Sequence, residues 1–352
     1  MQAITAKSRY FHIDIVRSIA IGAVVLFHLS SDYVEMYGKI PVSQWLAGSL
    51  YTGMVRSCVP LFVILSGALL LNPAKDVSFK ELFNKRLPRL VVPLIIWGVI
   101  YILFDNYVLN SLGTLTFWGV LKEFYTGPVS YHFWFLYMMV GLYLAYPIIN
   151  LFIKGAKEIH IRYFIIIWFI ANSVLGTVNT IFSTHTNLDL SFFLGFSGYF
   201  VLGYYLQNFS FSKVILNRLY LLGIAGFIIS AVIPLLYSFK GHFMDVIENN
   251  FSPELPFVVT GLFLYAKNHL NAGTTKYGSI KKIITSISKE SYGIYIIHVF
   301  ILDGVLTLKW PALYLNGLNI IYSIPIQLII TLAISYLVIR IIRLIPFSIF
   351  II

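Results

Sequence analysis

The sequence predicts an all-α protein that crosses a membrane about ten times, and its composition, hydropathy and charge pattern carry that prediction. Hydrophobic residues make up 59% of the 352 residues and charged residues only 11%, and the mean hydropathy is +0.83. A soluble globular domain carries about 25% charged residues. The net charge of +11 could suggest nucleic acid, but in a membrane protein the position of each charge matters more. We therefore expect membrane lipids as partners and no nucleic acid.

Ten apolar stretches are each about long enough for a membrane span, which requires roughly 20 mostly apolar residues. They lie at about 11–31, 49–71, 89–109, 131–153, 162–182, 190–207, 218–238, 254–270, 291–309 and 318–345. The stretch 254–270 is short, and 318–345 is long enough to tilt or to form two half-helices. With no internal repeat between them, the stretches predict one transmembrane domain over 1–352 without an appended soluble domain.

The lysines and arginines between the spans predict the orientation. A cytoplasmic N-terminus places nineteen of them in inner segments, whereas the outer loops carry four: Lys39, Lys122, Lys240 and Lys309. Short cytoplasmic loops carry an excess of basic residues, so both termini are predicted to be cytoplasmic. The remaining two basic residues, Arg17 and Arg56, lie inside predicted spans.

The first predicted span, which contains DIVRSIAIGAVVLFHLS at residues 14–30, carries Asp14, Arg17 and His28. A mid-helix Arg or Asp costs about 2.5–3.5 kcal/mol on insertion scales. Helical geometry places Arg17 and His28 on one face, roughly 16 Å apart, with Asp14 beside them, which predicts one ionisable stripe. One interpretation is structural, with Asp14 and Arg17 paired and His28 hydrogen-bonded to another helix. The other is a polar cavity with His28 as general base, because neutral imidazole accepts a proton near pH 7.

Arg86 and Arg89 stand at the predicted cytoplasmic start of the third span, within NKRLPRLVVP. They share one face if the helix begins there, and Pro88 suits a first helical turn. Two guanidinium groups beside a helix N-terminus form a phosphate site through bidentate hydrogen bonds and the helix dipole. Ordinary anchoring of a cytoplasmic loop by basic residues is the alternative.

Arg56 lies in the outer half of the second span, where an unpaired arginine would be very costly. We expect it to face the bundle interior and to meet a carboxylate, a carbonyl or a ligand. Ser66 and Gly67 on the same stretch favour close packing of helices.

His132 and Trp134 open the fourth span at the outer interface, and Tyr295 and His298 lie three residues apart in the ninth. Trp and Tyr at such a position are usually part of an aromatic belt, but His132 is not explained in that way. Tyr295 and His298 could share a cavity with the stripe of the first span. No His or Cys cluster has metal-ligand spacing, and no nucleotide-binding or nucleophile motif is present, so no metal is expected.

These stretches together resemble the acyltransferase family 3 group of integral membrane enzymes. Arg17 and His28 show the family's spacing of Arg, ten residues and His in the first helix, and Arg86 and Arg89 match its Arg-x-x-Arg at the third. The blocks RSCVPLFVILSGALLL, HFWFLYMMVGLYLAYPI, GYFVLGYYL and SYGIYIIHVFIL occur in the family's order over nearly the whole chain. The surroundings of Arg56 and His132 are most similar to the branch that O-acetylates bacterial surface polysaccharides or their lipid-linked precursors.

The resemblance implies a multi-pass enzyme of the bacterial plasma membrane. It would move an acyl group, usually acetyl, from cytoplasmic acyl-CoA to a hydroxyl of a cell-envelope glycan. Arg86 and Arg89 would hold the CoA phosphates, and the Asp14, Arg17 and His28 stripe would line a passage toward the acceptor. The substrate-binding positions would be Arg56, His132, Trp134, Tyr295 and His298. His28 either carries the acyl group covalently or removes the proton of the acceptor.

The alternative function is a polysaccharide exporter or flippase, because some members of the family have been assigned to glycan export. Transporters of that kind are commonly built from repeated halves, which this sequence lacks. The Arg-x-x-Arg at the inner face and the Arg/His pair on a single helix favour the enzyme.

Overall fold

A computed structural model describes residues 10–74, 78–107, 116–182, 195–238, 249–270, 278–305, 318–346, 348 and 351–352. All regular secondary structure in these ranges is helical, which confirms the predicted all-α class. Six of the basic residues counted for orientation lie outside the described residues: Lys7, Arg9, Lys75, Lys240, Lys276 and Lys309.

Thirteen α-helices are used to describe the molecule. They are α1 (Phe11–Ser30), α2 (Val42–Val55), α3 (Cys58–Leu70), α4 (Pro88–Tyr107), α5 (Phe117–Thr126), α6 (Trp134–Gly155), α7 (Glu158–Phe169), α8 (Leu175–Phe182), α9 (Ser197–Asn208), α10 (Lys213–Ser238), α11 (Leu255–His269), α12 (Gly278–Val299) and α13 (Ile320–Ile342). A short helical turn covers Phe79–Glu81, and 3₁₀ turns cover Ser31–Met36 and Tyr131–Phe133. Wider π-helical turns cover Leu82–Arg86, Ile170–Val174 and Phe300–Val305.

The chain divides into two compact units. The first comprises Met1–Leu70, Ile159–Ser291 and Leu318–Leu328, and the second comprises Leu71–Glu158, Tyr292–Gly317 and Ile329–Ile352. The expectation of a single domain over the whole chain stays a prediction.

Close helix packing in the first unit depends on glycines. Helices α3 and α9 approach so closely that a Cβ atom on Gly67 would overlap the backbone of Phe200, and one on Gly203 would overlap the backbone of Ile64. Small residues allow such approach where lipid tails supply no hydrophobic drive between helices. The predicted packing role of Gly67 is confirmed.

Polar side chains fix other helix ends in the first unit. The Lys267 ammonium group donates to the carbonyl oxygens of Leu206, Gln207 and Phe209 at 2.7, 2.8 and 3.2 Å. These carbonyls end α9 and have no partner within that helix, and a cation there also complements the helix dipole. In the same unit, the Ser230 hydroxyl of α10 donates to the Gly53 carbonyl of α2 at 2.8 Å.

Seven segments of the described chain are long and apolar enough to cross a membrane. They are Phe11–Met36, Val42–Leu70, Phe79–Tyr107, Tyr131–Gly155, Glu158–Phe182, Lys213–Leu236 and Ile320–Ile342. The predicted second span is two helices, α2 and α3, with Arg56 at their junction.

The other three predicted spans do not reach that standard, so the count of about ten stays a prediction. The 15 residues of α11 extend about 22 Å, less than the roughly 30 Å hydrocarbon core. Only 12 residues of α9 form a described helix. The part of α12 that precedes Ser291 carries Lys281, Lys282, Lys289 and Glu290.

Replacement of Gly67 by alanine should destabilise the protein, because the added methyl group meets backbone that cannot move aside alone. Overpacking of this kind typically costs about 1–3 kcal/mol, so the thermal unfolding midpoint of the detergent-solubilised protein should fall. Gly141→Ala in α6 is the control, since its Cβ would meet nothing within 4 Å and alanine is the better helix former. Equal midpoints for the two variants would show that Gly67 does not limit the approach of α3 to α9.

Candidate active site

Helix α1 presents Arg17 and His28 at opposite ends of one face. The helix is unbroken over 20 residues, so the two side chains point within about 20° of each other and lie roughly 16 Å apart. Both are half-buried, whereas Asp14 is buried. Ile21 and Val24 occupy the same side of the helix between them and are buried. The guanidinium and the imidazole are thus separated by an apolar segment of the face that they share, and the role of the predicted ionisable stripe stays a prediction.

Asp14 joins α1 to α12. Its carboxylate accepts hydrogen bonds from the Ser288 hydroxyl at 2.7 Å and from the Thr285 hydroxyl at 3.4 Å. Nearby, the Ser18 hydroxyl donates to the Ile284 carbonyl at 3.1 Å. These bonds show that Asp14 holds two helices in register, a contact that neither interpretation of the sequence included. The only signal for it was the pair of hydroxyl residues three positions apart on α12.

His28 lies near the end of α1 that is fastened to α2. Its ring meets Phe27 edge-on, with 5.6 Å between the ring centroids. Two residues later, the Ser30 hydroxyl donates to the Leu26 carbonyl at 2.8 Å and accepts a hydrogen bond from the Thr52 hydroxyl at 2.9 Å. The buried Ser30–Thr52 contact thus fastens the end of α1 that carries the half-buried His28 to α2.

Arg56 lies at the junction of α2 and α3 and is 3% exposed. Its Nη1 donates to Glu254 Oε1 at 2.8 Å, and the second carboxylate oxygen accepts from the Ser252 hydroxyl at 2.6 Å. The prediction that Arg56 faces the bundle interior and meets a carboxylate is confirmed. Glu254 stands just before α11, 198 residues away along the chain.

Arg86 and Arg89 belong to the second unit and occupy different local structures. Arg86 ends the π-helical turn, α4 begins at Pro88, and Leu87 between them keeps right-handed helical backbone angles, so the shared face stays a prediction. Arg86 Nε and Nη2 donate to Glu81 Oε1 at 3.2 and 3.0 Å, and the guanidinium carbon lies 5.1 Å from the centre of the Tyr146 ring. Arg89 is exposed. Glu81 therefore offsets part of the charge of Arg86, while Arg89 faces outward.

A buried cluster in the second unit contains His132, Tyr295 and His298. His132 Nε2 donates to the Ile296 carbonyl at 3.3 Å, and its Nδ1 shares a hydrogen bond of 2.9 Å with the Ser130 hydroxyl. The Tyr295 hydroxyl donates to the His132 carbonyl, and His298 Nδ1 donates to the Tyr295 carbonyl at 2.7 Å. The two imidazole rings are 5.2 Å apart. Three predicted site residues are thus in mutual contact.

The ten predicted site residues divide between the units. Asp14, Arg17, His28 and Arg56 belong to the first, and Arg86, Arg89, His132, Trp134, Tyr295 and His298 belong to the second. Trp134 is the first residue of α6 and meets Phe135 edge-on at 6.5 Å. A cavity shared by the first-span residues with Tyr295 and His298 stays a prediction.

Comparison with known proteins identifies the family. A family model described as an acyltransferase domain matches residues 10–340. The chain belongs to this acyltransferase family. No curated protein and no solved structure matches the chain. The matched region contains all ten of the predicted site residues.

Tyr101 is a residue of the acyltransferase that the sequence analysis missed. Its hydroxyl donates to the Ile296 carbonyl at 2.9 Å and accepts from the Phe300 amide at 2.9 Å. In an α-helix these two backbone groups would bond each other. The hydroxyl thus stands in the backbone ladder where the π-helical turn Phe300–Val305 begins. Nothing in an apolar stretch such as GVIYILF marks one tyrosine for this role.

Metal chemistry finds no support in the described ranges of the acyltransferase. No group of three or more His, Cys, Asp or Glu side chains within them is placed to hold a metal ion.

Loss of Arg56 should leave the Glu254 carboxylate buried without its cation. Breaking a buried ion pair from one side typically costs about 3–5 kcal/mol, so Arg56→Met should lower the thermal unfolding midpoint strongly. Glu254→Gln added to Arg56→Met should recover much of the loss. The exposed Arg218 of α10 supplies the control, since Arg218→Met should change the midpoint little. A double variant as unstable as the sum of both single losses would contradict this coupling.

Proposed function

We propose that the protein is a membrane O-acyltransferase that moves an acyl group, most simply acetyl, from cytoplasmic acyl-CoA to a hydroxyl of a bacterial cell-surface polysaccharide or lipid-linked glycan. Membership of the acyltransferase family over residues 10–340 carries the proposal. The half-buried His28 and Arg17 on a helix long and apolar enough to span the membrane support it further.

The donor site in this proposal is formed by Arg86 and Arg89. A guanidinium group binds phosphate through charge-assisted, often bidentate hydrogen bonds. Arg89 is exposed and offers its guanidinium to a phosphate directly. Arg86 donates to Glu81 through Nε and Nη2 and has its Nη1 buried, so in this proposal it adds positive charge beside Arg89. Both termini are cytoplasmic in this scheme, which places the two arginines on the side that contains acyl-CoA. A reporter fused after Ile352 tests that orientation.

His28 acts on the acceptor in this proposal. The neutral imidazole takes the proton of the acceptor hydroxyl, and the oxygen attacks the thioester carbonyl. The C–S bond then breaks, the thiolate of CoA leaves and takes up a proton, and the products are the O-acyl ester and free CoA. In the covalent route the imidazole nitrogen accepts the acyl group first and passes it to the hydroxyl.

Arg17 and Asp14 have separate roles in this scheme. Arg17 is roughly 16 Å from His28, so it does not reach the hydroxyl that His28 deprotonates. Asp14 is a positioning residue, since its bonds to Ser288 and Thr285 fix α1 against α12.

The remaining predicted residues are assigned to the acceptor region as supports. Arg56 acts through its pair with Glu254. His132, Tyr295 and His298 bond one another and nearby backbone, and together with Trp134 they are proposed to shape the wall that the glycan meets.

Substitution of His28 tests the enzyme against an exporter. His28→Ala should leave membrane insertion and expression intact and lower acyl transfer by about 10²–10⁴-fold, as loss of a general base typically does. His28→Gln keeps size and hydrogen bonding without a comparable base, so it should be nearly as inactive. The measurement is surface glycan from a deletion strain that carries each variant, scored separately for O-acetyl content and total exported polymer.

Lost O-acetyl groups with normal export support catalysis by His28. Lost export with acetylated residual polymer indicates a transporter. If both variants acetylate normally, His28 is not the catalytic residue. If His28 has only a structural role, His28→Gln should remain stable and active, and His28→Ala should be unstable.

The paired substitution Arg86→Ala with Arg89→Ala should weaken acetyl-CoA binding more than it weakens folding. Each lost charge-assisted bond to phosphate should cost on the order of 1.5–3 kcal/mol. Calorimetric titration of the purified protein with acetyl-CoA measures the change. The matched control is Lys80→Ala with Lys85→Ala, which removes the same charge from exposed positions of the same segment. Equal affinities for the two double variants would reduce Arg86 and Arg89 to anchoring residues.

A further inference from the structure

A cavity of about 480 Å³ opens within the first unit, and Glu254, the partner of Arg56, is one of its lining residues. Its walls are α8, α10 and the chain that leads into α11. Pockets of roughly 300–1,000 Å³ hold small ligands. Helices α8 and α10 both lie in segments long and apolar enough to cross a membrane. Three of the lining side chains, Ile181, Leu222 and Ile229, are exposed, so the cavity opens onto an apolar part of the surface.

One wall of the cavity is apolar and elongated. Helix α10 contributes Leu222, Ala225, Gly226, Ile229 and Ile233, which are spaced as one helical face. From Leu222 to Ile233 the face extends about 16 Å along the axis. A long, narrow apolar wall of this kind fits a hydrocarbon chain. A helix of another protein is about 10–12 Å wide with its side chains and is too thick for a cavity of this volume.

The facing walls carry hydrogen-bonding groups. Thr177 and Thr180 line the cavity from α8, and Asn249, Ser252 and Glu254 line it from the chain before α11. The charge of Glu254 is already matched by Arg56 at 2.8 Å. A bound head group therefore meets hydroxyl, amide and carboxylate oxygens without a net positive charge. Such a wall suits a neutral head that bears hydroxyl groups, and it gives no advantage to an anionic phosphate.

We infer that this cavity binds one chain of a neutral, hydroxyl-bearing lipid and thereby holds a lipid-linked acceptor at the enzyme. The identification of this lipid as the acceptor rests on the proposed acyl transfer, whereas binding of the lipid does not. The acceptor class is thus narrowed to glycans that carry a hydrocarbon anchor.

Photo-crosslinking of the full chain in lipid nanodiscs tests the inference. The probe is a monoglucosyl diacylglycerol with a diazirine in one acyl chain, and the comparison probe is phosphatidylglycerol with the same labelled chain. Mass spectrometry then locates the labelled peptides. The glycolipid should label α8 and α10 beside the cavity at least fivefold more than phosphatidylglycerol does.

Two matched variants show whether the glycolipid probe labels the protein because it is bound in the cavity. Ile229→Trp places a bulky ring in the cavity and should lower glycolipid labelling at least fivefold. Ile228→Trp makes the same change at the adjacent exposed residue of α10, which does not line the cavity, and labelling should stay within twofold of the unsubstituted protein. Equal labelling of the two variants, or equal labelling by both probes, would overturn the inference.

The experiment separates this inference from the proposed function, because labelling requires no acyl donor. Intact labelling by a protein that transfers no acyl group overturns the function and leaves the lipid site standing. Acyl transfer without labelling at α8 and α10 overturns the lipid site alone.

Discussion

A charged side chain within a hydrocarbon layer must find its partner inside the protein, and this requirement ties the helices of the first unit together. Arg56, at the junction of α2 and α3, meets Glu254 at the start of α11, and Asp14 of α1 is held by Ser288 of α12. Water in the bilayer core is too scarce to take over these contacts. Each costly group therefore fixes a pair of helices that are distant in sequence.

In this unit, apolar packing brings helices close together, and polar contacts hold the helix ends. Where α3 meets α9, the absence of side chains at Gly67 and Gly203 lets the two backbones approach. Where a helix ends, a cation or a hydroxyl donates to carbonyl oxygens of its last turn: Lys267 does so at the end of α9, and Ser30 does so at the end of α1. The resulting frame fastens the helix that carries the half-buried His28 to its neighbours.

The sequence predicted those features that follow from the free-energy cost of placing one charged residue inside the membrane. An unpaired Arg56 is too costly, so a buried partner could be expected, yet its identity depends on how α11 is folded against α2 and α3. Helical periodicity placed Arg17 and His28 correctly on one face but did not weigh the apolar Ile21 and Val24 between them. Periodicity did not reveal the π-helical turn that contains Arg86 and ends just before α4 begins.

Helix length is a further property that hydropathy does not settle. Hydropathy does not show that α11 ends after 15 residues. Glu254, Ser288 and Tyr101 were missed because each acts through a contact with a residue far away in the chain. Such contacts leave no local pattern.

The hydroxyl of Tyr101 also affects the helical winding of residues 300–305, which follow α12. In the π-helical turn, backbone bonds extend five residues back instead of four, so the turn holds about one residue more than an α-turn. Asp303 lies inside this turn, so it departs from the angular spacing that Tyr295 and His298 share on α12. A side chain of α4 thus sets the winding of residues 300–305.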